Sequence, residues 1–403
     1  MNFAYKRTLS LTSLLVLCIF VINCCVYNNP QKEIIIANSN GEQYAGSESC
    51  RTCHRAIFDS FSTTLHYLAS GIASKDYIKG SFAKNENTFV YNDSTKVVME
   101  ERQSGLYQVV YINGKEKRAQ RFDIVIGSGK KGQTYLYWRG NELYQLPVSY
   151  FGSVHRWANS PGYPSDTVFF DRIIEPRCME CHTTYSKGLL GDYSPNQIIY
   201  NVGCERCHGP GEKHIEFQTQ NPQDKQGRFI TNPASLNRQQ RLDACALCHS
   251  GVMESTKPAF SFLPGDTLSK YFVKNSSRID SFKLDVHANQ YGLLTASKCF
   301  RVSGTMTCSS CHNTHVKESG NLTVYAQKCM NCHTQINHKP ETLKGQTQSF
   351  MMANCVNCHM PVGASKNLTL LVSGNTTPSP ELVRSHLIAI YPIEKSKEAI
   401  KVK

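Results

Sequence analysis

The rhythm of apolar and polar positions changes several times along the 403-residue chain. It opens with an unbroken apolar run, Leu9 to Ile22, preceded by Lys6 and Arg7 and followed by Cys24. That run is too short and too unevenly flanked for a membrane-spanning helix, and has the form of a secretory signal over residues 1–23. A linker, 24–43, follows. From Thr88 to Tyr150 apolar and polar residues alternate, with Val, Ile and Tyr abundant, which is the period of half-buried strands. Tyr107-Gln-Val-Val-Tyr-Ile112 runs into Asn113-Gly114, a pair suited to the left-handed dihedrals of a tight hairpin. Thr134–Trp138 and Glu142–Leu146 flank Arg139-Gly140-Asn141, a second hairpin. The pattern predicts an antiparallel β-module of five or six strands over 85–150. Inside it, Gly127-Ser-Gly-Lys-Lys-Gly-Gln-Thr134 lacks the Gly-Lys-Ser/Thr ending of a phosphate loop and reads as a polar connection.

The rest of the chain reads as short helices joined by loops rich in Gly, Pro and Asn. Asn159-Ser-Pro-Gly-Tyr-Pro164 marks a tight turn, and Gln218 to Pro233 a long polar loop. Leu382 to Ile390 is apolar enough for a docking helix before a lysine-rich end. The expected fold is therefore mainly α with extensive loops and an inserted antiparallel β-module. Its segments are 44–84, the β-module 85–150, 151–260, 261–375, and a C-terminal helix and tail, 376–403.

The short helices are where the cysteines lie. Seven Cys-x-x-Cys-His motifs occur: Cys50/Cys53/His54, Cys178/Cys181/His182, Cys204/Cys207/His208, Cys245/Cys248/His249, Cys308/Cys311/His312, Cys329/Cys332/His333 and Cys355/Cys358/His359. The first falls in 44–84, the next three in 151–260 and the last three in 261–375. The spacing places both cysteines and the histidine on one face of a helical turn. There the thiols meet the two vinyl groups of a haem and the imidazole reaches the iron, so each motif reads as covalent attachment of haem c. A redox dithiol would occur once beside a βαβ pattern, and zinc would not demand a histidine after every pair. Seven covalently bound haems are expected.

Of 18 cysteines, the motifs leave Cys18, Cys24, Cys25 and Cys299. Val21-Ile22-Asn23-Cys24 resembles a lipoprotein processing box, with Cys24 as the lipidated residue; plain cleavage and an uncleaved anchor are the alternatives. Export fits the attachment of haem c outside the cytoplasm. It points to the periplasmic side or the outer membrane of a Gram-negative bacterium, held to the membrane by the lipid. Cys299 reads as a small buried residue.

A formal charge of +13 invites a nucleic-acid partner. Haem bookkeeping removes that reading. Without the signal segment, and with seven haems carrying their propionates, the net charge falls to about +4 oxidised and about −3 reduced. Much of the excess Lys and Arg is then there to neutralise propionates, and no nucleic acid is implied.

The chain holds 14 histidines, so seven proximal ligands leave seven distal candidates. These are His66, His214, His315 and His386, then His287 and His338, with His155 the weakest. His315 lies three residues past His312 and would sit beside its own haem, so it suits a neighbour's iron. Met306, Met351 and Met352 are the competing ligands.

Several stretches carry a family resemblance. Tyr44-Ala-Gly-Ser-Glu-Ser-Cys50-Arg-Thr-Cys53-His54 followed by His66, and Cys204-Glu-Arg-Cys207-His208-Gly-Pro-Gly-Glu-Lys-His214, resemble the cytochrome c-554-type multihaem family. So do Gly304-Thr-Met-Thr-Cys308-Ser-Ser-Cys311-His312-Asn-Thr-His315 and Cys355-Val-Asn-Cys358-His359-Met-Pro361. The resemblance implies a mainly helical haem-stacking fold and electron transfer with redox protein partners in the periplasm or at the cell surface. The family also holds enzymes acting on nitrogen and sulfur oxyanions. A relay of six-coordinate haems is the preferred reading, because all seven motifs end in histidine and no Cys-x-x-Cys-Lys occurs. The alternative is an oxidoreductase with one five-coordinate haem for nitrite, hydroxylamine or a sulfur oxyanion, with His155 and Arg156 lining its pocket. A third reading makes the β-module a docking surface within a membrane complex.

Overall fold

A computed structural model describes residues 35–189, 192–273, 284–336, 338 and 347–392. The signal segment, Cys18, Cys24, Cys25 and the lysine-rich end lie outside the described residues. The chain divides after Ile36, and every element below belongs to the unit that begins at Ala37.

Ten strands lie between the first two motifs. They are β1 (Ser70–Ile72), β2 (Thr88–Asn92), β3 (Thr95–Arg102), β4 (Gly105–Ile112), β5 (Lys115–Arg121), β6 (Ile124–Ile126), β7 (Gly132–Arg139), β8 (Glu142–Gln145), β9 (Val148–Phe151) and β10 (Arg156–Asn159). A hairpin after the second motif adds β11 (Tyr185–Leu189) and β12 (Asp192–Ile199). Another after the seventh adds β13 (Val362–Val372) and β14 (Ser379–Arg384). Strands β2-β3-β4-β5 form one antiparallel sheet. The larger sheet runs β11-β12-β8-β7-β9-β10-β13-β14, with β6 also on β7 and β1 on β6.

This corrects the expectation of a mainly α fold with one inserted module. Helix and strand each account for 26% of the described residues, so neither dominates. Two causes act together. The motif helices are short, several a single turn, and strands from after the second and seventh motifs extend the sheet beyond 85–150. Leu382 to Ile390 is not a helix either. Its first residues finish β14, where Val383 pairs with Gly363 and the buried Glu381 accepts from Lys131 and Ser153. A brief apolar run fits strand or helix equally by periodicity, and the partner strand decides. The polar stretch from Gln218 is also shorter than expected, since a helix continues through Gln220.

Local chemistry explains the parts that match. Asn113 and Gly114 have φ of 50° and 74°, the positive values that a two-residue hairpin between β4 and β5 demands. Strand β5, Lys-Glu-Lys-Arg-Ala-Gln-Arg, is a sheet edge whose charges discourage further pairing. The two sheets enclose a core of Phe89, Val97, Met99, Phe122, Tyr135, Tyr137, Tyr150 and Trp157. Gln108 is buried inside it and imitates a strand: its amide donates to Val148 O (2.7 Å) and accepts from Val148 N (3.1 Å). Trp157 donates to Ser81 O at 2.7 Å and lies against Gly80, where a Cβ would come within 2.1 Å of the indole. Only glycine fits there.

Beyond the sheets, apolar packing thins. The remaining helices share one small cluster, Ala246, Leu247, Phe262, Leu268 and Phe272, among the described residues. No helix among those residues is long and apolar enough to cross a membrane.

Candidate functional site

Every motif lies on a helical turn or at its end. The first is on Ser47–Phe61, whose helical dihedrals break at His54. The second begins on Pro176–Glu180 and the third spans Cys204–His208. The fourth closes Arg238–His249, a helix started by a capping box of Asn237 and Gln240. The fifth, sixth and seventh sit on Cys308–Ser310, the last turn of Leu322–Met330, and Cys355–His359. The backbone N–H of His312 bonds Cys308 O and that of His333 bonds Cys329 O, the helical link that sets cysteine and histidine on one face.

Residues between the cysteines tie the motifs together. Glu205, 3% exposed, accepts from Ala45 N (2.8 Å), Gly46 N (2.8 Å) and Gly211 N (2.7 Å), joining the third motif to the start of the first. Glu180 accepts from Phe260 N at 2.9 Å and pairs with Arg177, which reaches Leu247 O beside the fourth motif. Arg238 donates to Met306 O at 2.9 Å, linking the fourth helix to the fifth motif. Arg384 on β14 donates to Met360 O (2.8 Å) and Asn357 (3.0 Å) at the seventh.

Cysteines of different motifs meet as a result. Cys50 lies beside Cys204, Cys181 beside Cys248, and Cys245 beside Cys308. In each pair the neighbouring thiol is the largest influence, raising Cys50, Cys181 and Cys245 and lowering Cys204, Cys248 and Cys308. Cys311 and Cys332, and Cys329 and Cys355, are also neighbours, with Cys299 beside Cys311 and Cys329. The motifs thus form a continuous series rather than isolated sites.

The histidines fall into facing pairs that sequence order does not announce. Ring centroids are 6.5 Å apart for His54 and His214, 6.2 Å for His66 and His249, and 6.1 Å for His208 and His315. They are 6.2 Å apart for His312 and His386 and 6.3 Å for His338 and His359. His287 lies close enough to His182 to oppose its protonation. Two metal–nitrogen bonds of about 2 Å, plus about 1.2 Å from each nitrogen to its ring centre, would put the centroids of two imidazoles on one metal about 6.4 Å apart. The rings may turn about that axis, so interplanar angles from 16° to 72° are compatible with it.

The outward nitrogens support the same geometry. Nδ1 of His208, His214 and His359 lies 2.9, 2.8 and 2.9 Å from the carbonyl oxygens of Thr231, Arg228 and Ala389. A carbonyl only accepts, so Nδ1 carries the proton and Nε2 keeps its lone pair, the tautomer a metal requires. Burial holds His66, His182 and His386 near pKa 4, each helped by neighbouring imidazoles, and so keeps them neutral.

Two histidines stand apart. All fourteen are described, and neither His155 nor His333 faces another imidazole. His155 is exposed in the turn between β9 and β10, at φ 51°, with Nδ1 3.2 Å from Tyr150 Oη. Arg156 beside it is exposed and pairs with Phe151 in the sheet. Of the competing methionines, Met306 engages Arg238 through its carbonyl, and Met351 and Met352 lie on Gln348–Ala353, Met352 exposed.

One feature was invisible in the sequence. Arg206 is buried, 8% exposed, and its Nε and Nη2 bond nothing among the described residues. His386 Nδ1 and Ser250 Oγ are likewise buried and unpaired. Such donors at the motifs suit the propionates of haem, just as the facing imidazoles suit its iron and the two thiols of each motif its vinyls. The donor set fits the cofactor.

The outer cell wall cytochrome OcwA superposes with a TM-score of 0.51 at 19% identity, covering 88% of this chain and 81% of its own, and so shares the fold. An undecahaem cytochrome from the S-layer of Carboxydothermus ferrireducens, 18% identical, aligns over 79% of this chain and 51% of its own with a TM-score of 0.38. No curated protein matches. Residues 166–209, which hold the second and third motifs, match the family described as cytochrome c554 and c-prime.

Proposed function

We propose that the chain is a seven-haem electron-transfer protein in which six irons are each held between two imidazoles. The pairs are His54/His214, His66/His249, His182/His287, His208/His315, His312/His386 and His338/His359. The observation that carries this reading is the set of five ring separations between 6.1 and 6.5 Å, the span of one metal atom, while the sixth pair, His182/His287, rests on electrostatic proximity alone. Bound haem supplies a reversible one-electron iron couple. The chain's residues do the rest. Carbonyl oxygens fix the imidazole tautomers, buried carboxylates lock neighbouring motifs together, and cysteine contacts bring the attachment edges close enough for electrons to pass along the series. The fold shared with a cell wall cytochrome supports an exported location, with redox proteins as partners.

A second reading rests on His333. No imidazole faces it among the described residues, which would leave a side of its haem for a small ligand such as nitrite or hydroxylamine. Here the open centre is the sixth motif, and His155 with Arg156 does not line it by any observed contact.

Electron paramagnetic resonance of the oxidised holoprotein tests both. The expected spectrum has six low-spin ferric centres and one high-spin centre, and His214→Ala converts one further low-spin centre. Fewer than six low-spin centres, or no change in His214→Ala, would overturn the pairing; seven low-spin centres would remove the open site.

A further inference from the structure

Three of the seven motifs meet at one buried ion pair. Glu180 precedes Cys181 of the second motif, and Arg206 precedes Cys207 of the third. Cys248 of the fourth lies beside both. The sequence offers no reason to connect them, since the residues between the cysteines are variable in character along the chain.

The pair is unevenly satisfied. Glu180 is 1% exposed, and its two carboxylate oxygens already accept from Arg177 and from the backbone N–H of Phe260 at 2.9 Å. Arg206 Nη2 stands 3.5 Å from Glu180 Oε1, close enough for charge attraction but outside good hydrogen-bond geometry. The ring of Phe260 covers the guanidinium at 5.3 Å. Glu205, the next carboxylate along, is committed to three backbone N–H groups. Arg206 is therefore a buried cation with two open donors, Nε and Nη2, and no carboxylate free to take them. A buried charge of this kind is costly unless an anion completes it, and guanidinium is shaped to bind a carboxylate.

We propose that Arg206 is a positioning residue for the haems gathered at the second, third and fourth motifs. Its open donors bind a haem propionate, and its charge, balanced by Glu180, sets the reduction potential of the adjoining iron. This rests on the haem reading above. The sign follows from charge alone. Reduction adds an electron to the centre, so a nearby cation favours the reduced form and a nearby carboxylate opposes it.

The test is a spectroelectrochemical titration of the holoprotein and of three variants, Arg206→Gln, Arg206→Lys and Glu180→Gln, with covalent haem counted in each by intact mass. Arg206→Gln should lower the midpoint of one haem by a tenfold change in its reduction equilibrium, about 59 mV for one electron. Arg206→Lys should restore most of it, and Glu180→Gln should move a midpoint the opposite way. A titration of Arg206→Gln that overlays the parent at full haem content overturns the proposal. So does a shift of the same sign in Arg206→Gln and Glu180→Gln, the mark of a merely structural disturbance. If Arg206→Gln loses haem, the two remaining variants decide by the sign of the Glu180→Gln shift and the retained potential of Arg206→Lys. An unmodified parent mass, with no covalent haem, would instead sink the haem reading itself.

Discussion

The sheets and the motif-bearing helices are built on opposite plans. In the sheets, protein packs against protein: the rings of Phe122, Tyr135 and Trp157 meet edge-on or tilted with centroids 4.8 to 6.1 Å apart, and Gln108 meets both polar groups of Val148. In the helices there is little to pack. They are short, their described apolar cluster is small, and several buried donors lack protein partners. Histidines face one another across a gap rather than touching. The difference teaches that apolar interior and structural cross-links are supplied by side chains in one region and by cofactors in the other. On the reading proposed above, large flat haems replace the long helices and branched aliphatic residues that would otherwise form a core.

That contrast can be broken most sharply by withholding haem. In protein made without haem attachment, hydrogen exchange should show the amides of β3, β4 and β7 still protected, and those of 204–249 and 298–359 near the unprotected limit. Loss of protection throughout would show instead that the sheets depend on the cofactors. A large but local effect is expected at the aromatic core. Trp157→Ala removes a side chain 3% exposed and should destabilise the sheets by about 3–5 kcal/mol, measured by denaturant titration of the fluorescence of the remaining Trp138. The haem spectrum of that variant should be unchanged, and a spectral change would mean that the two regions share one core. The smallest effect is at the β4–β5 turn. Asn113→Ala places alanine at φ 50° and should cost about 1 kcal/mol by the same titration, whereas Asn113→Gly should be close to neutral.

The parts of the molecule legible in sequence are those set by neighbours along the chain. Asn113-Gly114 and Gly140-Asn141 announced two hairpins because dihedral preference is local. Cys-x-x-Cys-His announced a helical turn for the same reason. What stayed hidden depends on distant partners. Val362–Val372 is a strand because Val372 pairs with Ala158 in β10, and its sequence carries no matching sign. The mainly α expectation failed on such strands. The count of seven extra histidines was legible, but which imidazole faces which was not: His66 meets His249, and His208 meets His315, through the folding of whole segments. Arg206 gave no signal at all, since an arginine inside a motif looks like any exposed charge until its burial is known.

The partner of His312 has a consequence for how the molecule is made. His386 lies close to the far end of the described chain, whereas His66 precedes His249. A chain produced from its N-terminus can therefore complete the pair at the fourth motif as soon as that motif emerges. On the proposed pairing, the fifth has its cysteines and its own histidine early, yet must wait for the chain to reach His386 before its second imidazole exists. Loss of the segment around His386 would then leave every attachment motif intact and the centre at His312 half-made. The residues just past β14 would thus be the latch on a centre whose motif was synthesised long before them.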